Sequence, residues 1–154
     1  MRILQTFITC SLLFSPFLIA QHISTTKLVN EAKKSAGEMK ASTLKKLIDN
    51  EEAVIVLDIR EPEQQQDGEI YADESYMITR GNLEFQIRDK VKDKNALIVT
   101  YCRAGNRGAF AAQTLQSLGY KNAISLKGGL KAWAQAGYPV ETELGVMILQ
   151  KEEE

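Results

Sequence analysis

The sequence predicts an α/β fold, a central parallel sheet of about five strands with helices on both faces. Two observations carry this. Short, near-continuous apolar runs such as AVIVLDI (residues 53–59) and ALIVTY (residues 96–101) read as strands buried on both sides. Between such runs lie segments whose apolar residues recur every three or four positions, the period of a helix packed on one face. Strands alternating with helices imply crossover connections and therefore parallel pairing. The chain has 154 residues, 44% hydrophobic and 25% charged, the length of one domain and an ordinary globular composition.

The first twenty residues stand apart. MRILQTFITCSLLFSPFLIA carries one charge, Arg2, followed by an uncharged apolar run that ends on the small residue Ala20. This reads as a secretory signal peptide, residues 1–20, cleaved near Ala20 and directing the chain to the periplasm or another exported location. The alternative is an uncleaved membrane anchor, for which the run is of marginal length. Cys10 lies inside the run with almost no hydrophobic segment before it, which makes it a poor lipoprotein attachment site. Cleavage leaves Cys102 as the sole cysteine of the mature chain, so no internal disulfide can form.

Residues 21–37 read as an N-terminal helical stem. Leu28, Val29, Ala32 and Ala36 share one thin apolar face and Gly37 stops the helix. Whether it docks or hangs loose is open at this level. A domain over residues 38–140 follows. Ser42 is a candidate N-cap for a short helix with Leu44, Leu47 and Ile48 on one face. Residues 53–59 form a buried strand, and Pro62 opens a short helical segment that Gly68 ends. Residues 75–79 are a short strand. Leu83, Ile87 and Val91 line a helix, and residues 96–101 form the second buried strand. The next helix presents Ala111, Leu115 and Leu118, with Gly119 as its stop. Residues 122–126 are another strand, and GGLKAWAQAGYP gives a last helix with Trp133 in the core. The tail, residues 141–154, ends in KEEE and is expected to be mobile. Its apolar VMIL has no place in this layout.

Cys102 directly follows the strand at 96–101, and a helix begins about five residues later. In open parallel sheets ligands bind beyond the carboxyl ends of the strands, so CRAGNR is a strand-to-helix loop at the functional edge. The only histidine, His22, lies near the start of the chain and cannot serve this cysteine as base. A loop curling into a helix start turns several backbone N–H groups inward and adds the helix dipole. Arg103 and Arg107 add positive charge, and Gly105 permits an unusual turn. These features favour thiolate over thiol. A thiolate displaces at sulfur directly and needs no general base. A buried, inert cysteine would be surrounded by apolar residues, and this loop is not.

VLDIREPEQ, the loop YCRAGNRGAF and the segment from Gly128-Gly129 to Trp133, at their mutual spacing, resemble a single-domain rhodanese, a sulfurtransferase, over residues 39–140. The resemblance implies a rhodanese-like fold and a persulfide on Cys102. The sulfur would come from thiosulfate or polysulfide and pass to cyanide or a thiol. It implies that the amides of Arg103, Ala104, Gly105, Asn106 and Arg107 cradle the sulfur. Arg103 and Arg107 would hold the anionic donor, while Asp58 and Arg60 would form a charged pair around the site. ITRGNLEFQI is similar to a stretch of an exported, dimeric polysulfide-sulfur transferase. Arg80 would then join the other arginines around an anionic chain of sulfur; the alternative is a solvated charge at a helix start. Two departures stand out. Glu69 occupies a position where many members carry histidine, and Gly108 follows the loop arginine where a hydroxyl residue is common.

Phosphatases of related fold carry five residues between cysteine and arginine; here there are four, a cradle suited to sulfur. No acid follows the arginine to protonate a leaving group. The expected partners are a small anionic sulfur donor, a thiol or cyanide acceptor, and potentially a protein acceptor or a second copy in a homodimer. The net charge of −1 gives no footprint for nucleic acid. No cofactor is expected, and too few ligand residues are present for a metal site. A sulfurtransferase of small molecules, a sulfur carrier docking on a partner enzyme, and a binding module with a relic cysteine are the three functional classes open at this level.

Overall fold

The computed structural model describes residues 24–148. The N-terminal apolar run, Cys10 and His22 lie outside the described residues, as do the last six positions. Among the described residues no helix is long and apolar enough to cross a membrane.

The chain order is α1 (Thr25–Ala36), β1 (Glu38–Met39), α2 (Ala41–Asp49), β2 (Ile55–Asp58), α3 (Pro62–Gln65) and β3 (Glu74–Met77). A 3-10 turn (Arg80–Asn82) leads into α4 (Leu83–Lys90), β4 (Leu97–Tyr101), α5 (Asn106–Ser117), β5 (Asn122–Leu126) and α6 (Gly129–Gln135). A hairpin of β6 (Val140–Thr142) and β7 (Gly145–Met147) closes the described chain. Strands β1 to β5 form one parallel sheet in the order β1-β5-β4-β2-β3. The expected class and strand number are both observed. Strand β4 is central, and its C-terminal end is flanked by those of β2 and β5.

Each face of the sheet buries one core. Leu57, Ile59 and Ile98 pack with Leu83 and Ile87 of α4 and with Ala111 and Leu115 of α5. On the opposite face Val56, Val99 and Leu126 pack with Leu44 of α2 and Trp133 of α6. The indole N–H donates to Pro139 O at 2.7 Å, so Trp133 fills the core without leaving a buried donor unpaired.

The structure corrects three local expectations and decides the open question of the N-terminal helix. Helix α2 starts two residues earlier, with Lys40 at the N-cap and no side-chain cap from Ser42. Leu118 is half exposed, because α5 ends at Ser117 and turns its small residues Gly108, Ala109, Ala111 and Ala112 inward instead. Helix α1 is capped by Ser24 Oγ accepting from Lys27 N. It packs along α5, burying Val29, Ala32 and Ala36 while Leu28 faces solvent. Gln116 Nε2 donates to Ala36 O at 3.2 Å, so this segment is docked and not a loose stem. Residues 141–147 of the expected tail join Val140 in the β6–β7 hairpin, anchored to the domain by reciprocal bonds between Glu69 and Glu141 at 2.8 and 2.9 Å. Leu144, Val146 and Ile148 on it remain exposed.

Candidate active site

Cys102 is the first residue beyond β4 and is 3% exposed. Below it Thr100 Oγ1 donates to Gly108 O at 2.8 Å, tying the strand to the first turn of α5. A Cβ at Gly108 would meet Thr100 O at 3.1 Å, so the missing side chain lets helix and strand approach closely. Gly105, at φ 88°, is the N-cap of α5. A Cβ there would press on Leu126 O and Gly128 N, each at 3.1 Å. Gly129 is tighter still. Its Cβ would collide with Cys102 O and lie 2.7 Å from Gly105 N. Leu130 N donates to Cys102 O and Lys131 N to Arg103 O, both at 2.9 Å. The start of α6 therefore clamps the cysteine loop from one side, which explains physically why two glycines stand at 128 and 129.

With its carbonyls bound to α6, the loop turns its amides elsewhere. The N–H groups from Arg103 to Gly108 have no protein acceptor among the described residues. Six consecutive unmatched donors at the positive end of a 12-residue helix form a ready anion site. Of the residues supplying them, Arg103, Ala104 and Asn106 are exposed and Gly105 is buried.

The arginines fall into three groups. Arg60 is 2% exposed, and every nitrogen of its guanidinium is engaged within the fold. Nε donates to both oxygens of Asp58 at 3.0 and 2.9 Å and Nη2 to Asp58 Oδ2 at 2.6 Å. Nη1 donates to Gln64 O and Nη2 to Gly68 O, each at 2.6 Å. Burial works to lower the Arg60 pKa, but the hydrogen bonds and charge of Asp58 more than offset it and the net shift is upward. Arg60 and Asp58, the latter 1% exposed, thus form the expected charged pair and stitch α3 to the end of β2. Arg80 is redirected. It bonds Glu84 at 2.9 Å and Thr114 Oγ1 at 2.9 Å. Thr114 lies eight residues into α5, about 12 Å from its start at 1.5 Å per residue. Half-buried, Arg80 is paired within the fold.

Arg107 and Arg103 stay at the loop. Arg107 Nη2 donates to Gln64 Oε1 at 2.6 Å, and its Nη1 lies 3.7 Å from Glu61. Gln64 thus joins the two systems, its carbonyl on Arg60 and its side chain on Arg107. Sequence reasoning missed Gln64 and Glu61, which in sequence are only polar residues of a short helix. Arg103 makes no ion pair among the described residues. It faces a cavity of 670 Å³ between α3, the loop and α6.

Two neighbours complete the electrostatics. Tyr101 is 1% exposed, and its oxygen accepts from Ile70 N at 3.2 Å. Burial, then the Asp58 charge, pushes its pKa well above the ordinary phenol value, so it packs as a neutral side chain beneath the Arg60 guanidinium. Glu69 has its carboxyl pKa raised by burial first, then by the charges of Asp58 and Glu141.

Residues 40–136 match the model of the rhodanese-like domain. A sulfurtransferase of Allochromatium vinosum is 29% identical over 104 residues, 68% of this chain and 94% of that protein. A thiosulfate sulfurtransferase of Pseudoalteromonas translucida is 33% identical over 103 residues, 67% of this chain and 91% of its own length. An uncharacterized protein of Synechocystis is 37% identical over 89 residues, which are 58% of this chain and 48% of that relative, so the chain spans about half of its length. Among solved structures, the polysulfide-sulfur transferase homodimer of Wolinella succinogenes superposes with a TM-score of 0.63 at 25% identity, covering 73% of this chain and 83% of that one. A Rhodopseudomonas palustris protein of unknown function, described as a possible tyrosine phosphatase, gives 0.68 at 32% identity over 78% of this chain and 96% of that one. With its sheet order, the glycine-clamped cysteine loop and the family match agreeing over the same residues, the chain belongs to the rhodanese-like domain family.

Proposed function

We propose that the chain transfers sulfane sulfur through a persulfide on Cys102. The Cys102 thiolate attacks the outer sulfur of thiosulfate or polysulfide. The Sγ–S bond forms, the donor's S–S bond breaks, and the electron pair leaves with sulfite or the shortened polysulfide. Cyanide or a thiolate then takes the outer sulfur and returns the electron pair to Sγ. The observation that carries this reading is the row of unmatched amides from Arg103 to Gly108 beside Cys102. Such a row suits an anionic sulfur and leaves nothing for a general base to do. Arg103 and Arg107 support the donor's charge, while Arg60 and Asp58 hold the surrounding frame. Phosphoryl transfer, suggested by the Rhodopseudomonas neighbour, fits less well, since the four-residue spacing from Cys102 to Arg107 makes a smaller cradle.

Thiocyanate formation from each donor tests the reading. Wild-type protein should produce it and Cys102→Ser should not. Formation undiminished in the serine variant would overturn the reading. Export with cleavage near Ala20 belongs to the same proposal, supported by the uncharged apolar run after Arg2. Sequencing the N-terminus of the secreted protein tests it. A homodimer is proposed by likeness to the Wolinella neighbour alone, and light scattering tests it.

A further inference from the structure

Strands β2, β3 and β4 begin at Ile55, Glu74 and Leu97. This edge of the sheet lies opposite Cys102, about 17 Å away along the five residues of β4. A cavity of 510 Å³ opens there over Val54, Ile55 and Val91, which are 7%, 7% and 4% exposed. Persulfide chemistry at Cys102 has no use for it. Two further depressions adjoin it and share residues with it. One, of 410 Å³, meets it at Ala53, Val54 and Glu74. Asp49, Glu51, Glu52, Asp73 and Glu74 line this depression, and no basic residue does. The other, of 360 Å³, meets the cavity at Val91 and Lys92 and is lined by Arg88, Lys92 and Lys94 against a single acid, Asp89. Lys90 adds a further positive charge on that side of the cavity. Asp49 is paired with Lys45 and Lys92 with Asp89. Glu51, Glu52, Asp73, Arg88 and Lys90 make no ion pair among the described residues. Each charged flank also carries one exposed aromatic ring. Tyr71 stands among the acids and is 60% exposed, and Phe85 stands among the bases and is 79% exposed.

A flank of one sign alone would select a foreign partner of the opposite sign. Here both signs flank one apolar centre, so the surface is complementary to itself. A two-fold axis through the centre turns the acidic flank of one copy onto the basic flank of the other, and the same contact forms twice. We propose that a second copy of this chain docks here, as an isologous dimer through the amino ends of the strands. Glu51, Glu52 and Asp73 of one copy face Arg88, Lys90 and Lys92 of the other, and Tyr71 and Phe85 serve as apolar anchors beside the centre. Both cysteine loops stay open at the far ends. The proposal gives a surface to the homodimer inferred above from likeness alone, and it is independent of the persulfide on Cys102.

Sedimentation equilibrium over a concentration series, on protein purified after expression of the full chain, tests it through paired charge reversals. Wild type should sediment as a dimer that dissociates as salt rises. Glu51→Lys with Glu52→Lys, and separately Lys90→Glu with Lys92→Glu, should each sediment as a monomer, because each variant sets like charges against one another. All four side chains are exposed, so both variants should keep the wild-type circular dichroism. Mixing the two variants in equal amounts should restore the dimer mass, since every flank then meets its opposite. A wild-type dimer that both variants retain would overturn this surface and leave a homodimer built elsewhere. Variants that stay monomeric when mixed would overturn the charge pairing on which the surface rests. A monomeric wild type would refute the surface and the homodimer together, and would leave the chemistry of Cys102 untouched.

Discussion

Replacing Asp58 by asparagine removes one charge from a pair that is almost wholly out of water. Asp58 and Arg60 are 1% and 2% exposed. The carboxylate accepts from the Arg60 backbone N–H at 2.9 Å and from two guanidinium nitrogens at 2.6 to 3.0 Å. Asparagine keeps the shape and one acceptor but leaves the guanidinium charge buried without a counter-charge. Breaking a buried pair in this way costs about 3 to 5 kcal/mol, a large part of the roughly 5 to 15 kcal/mol that holds a domain folded. The retained acceptor places this variant near the lower end. With a urea slope of about 1.5 kcal/mol/M, the unfolding midpoint should fall by about 2 M. Asp58→Asn combined with Arg60→Met should recover much of the loss, because the stranded charge is gone. Urea titration followed by circular dichroism reads both variants. A midpoint within about 0.5 M of wild type, less than 1 kcal/mol at that slope, would refute the assignment of this pair as the frame of the site. So would a double variant less stable than the single one.

Gly129→Ala should damage both fold and function, since its methyl group would collide with Cys102 O at a positive φ of 60°. A loss of about 2 kcal/mol in the same urea titration and a roughly 100-fold fall in thiocyanate formation are expected. Near-normal activity would show that the loop is not clamped as described. Glu69→Gln should reveal a pH dependence. The folded pKa of Glu69 is raised above 4.5 by burial and by neighbouring acids. Its protonated form therefore stabilises the fold below the unfolded value, and that contribution is lost as pH rises through the folded value. The variant should match wild type near pH 4 and exceed it near pH 7 in urea midpoint; an advantage that shrinks as pH rises would contradict this. Tyr101→Phe removes the acceptor for the buried Ile70 N–H and should cost about 1 to 3 kcal/mol; an unchanged midpoint would argue against that bond.

The strands and the cysteine loop were legible because one local signal decided each. Residues 53–57 and 96–99 are apolar without alternation, the pattern of a strand covered on both faces. Cys102 followed such a strand at the edge where sites form. The roles of the arginines were less legible. The Asp58–Arg60 pairing had a signal, since residues two apart in extended chain share a face, yet the use of Gln64 O and Gly68 O by the same guanidinium needed the folded α3. Arg80 had its partner four residues on, at Glu84, a spacing that pairs charges along a helix. The weight given to a shared anionic pocket obscured it. The β6–β7 hairpin could not be read, because its anchor joins Glu141 to Glu69 across 72 positions and its turn at Glu143 and Leu144 carries none of the usual turn residues. Gln64 had no signal of its own; only the approach of α3 to α5 gives it Arg107.

The most direct test of the central claim is the intact mass of the purified chain before and after polysulfide or thiosulfate. The account predicts a gain of one sulfur atom in wild-type protein, reversed by cyanide and absent in Cys102→Ser. An unchanged mass with both donors, or a gain that survives in the serine variant, would contradict it.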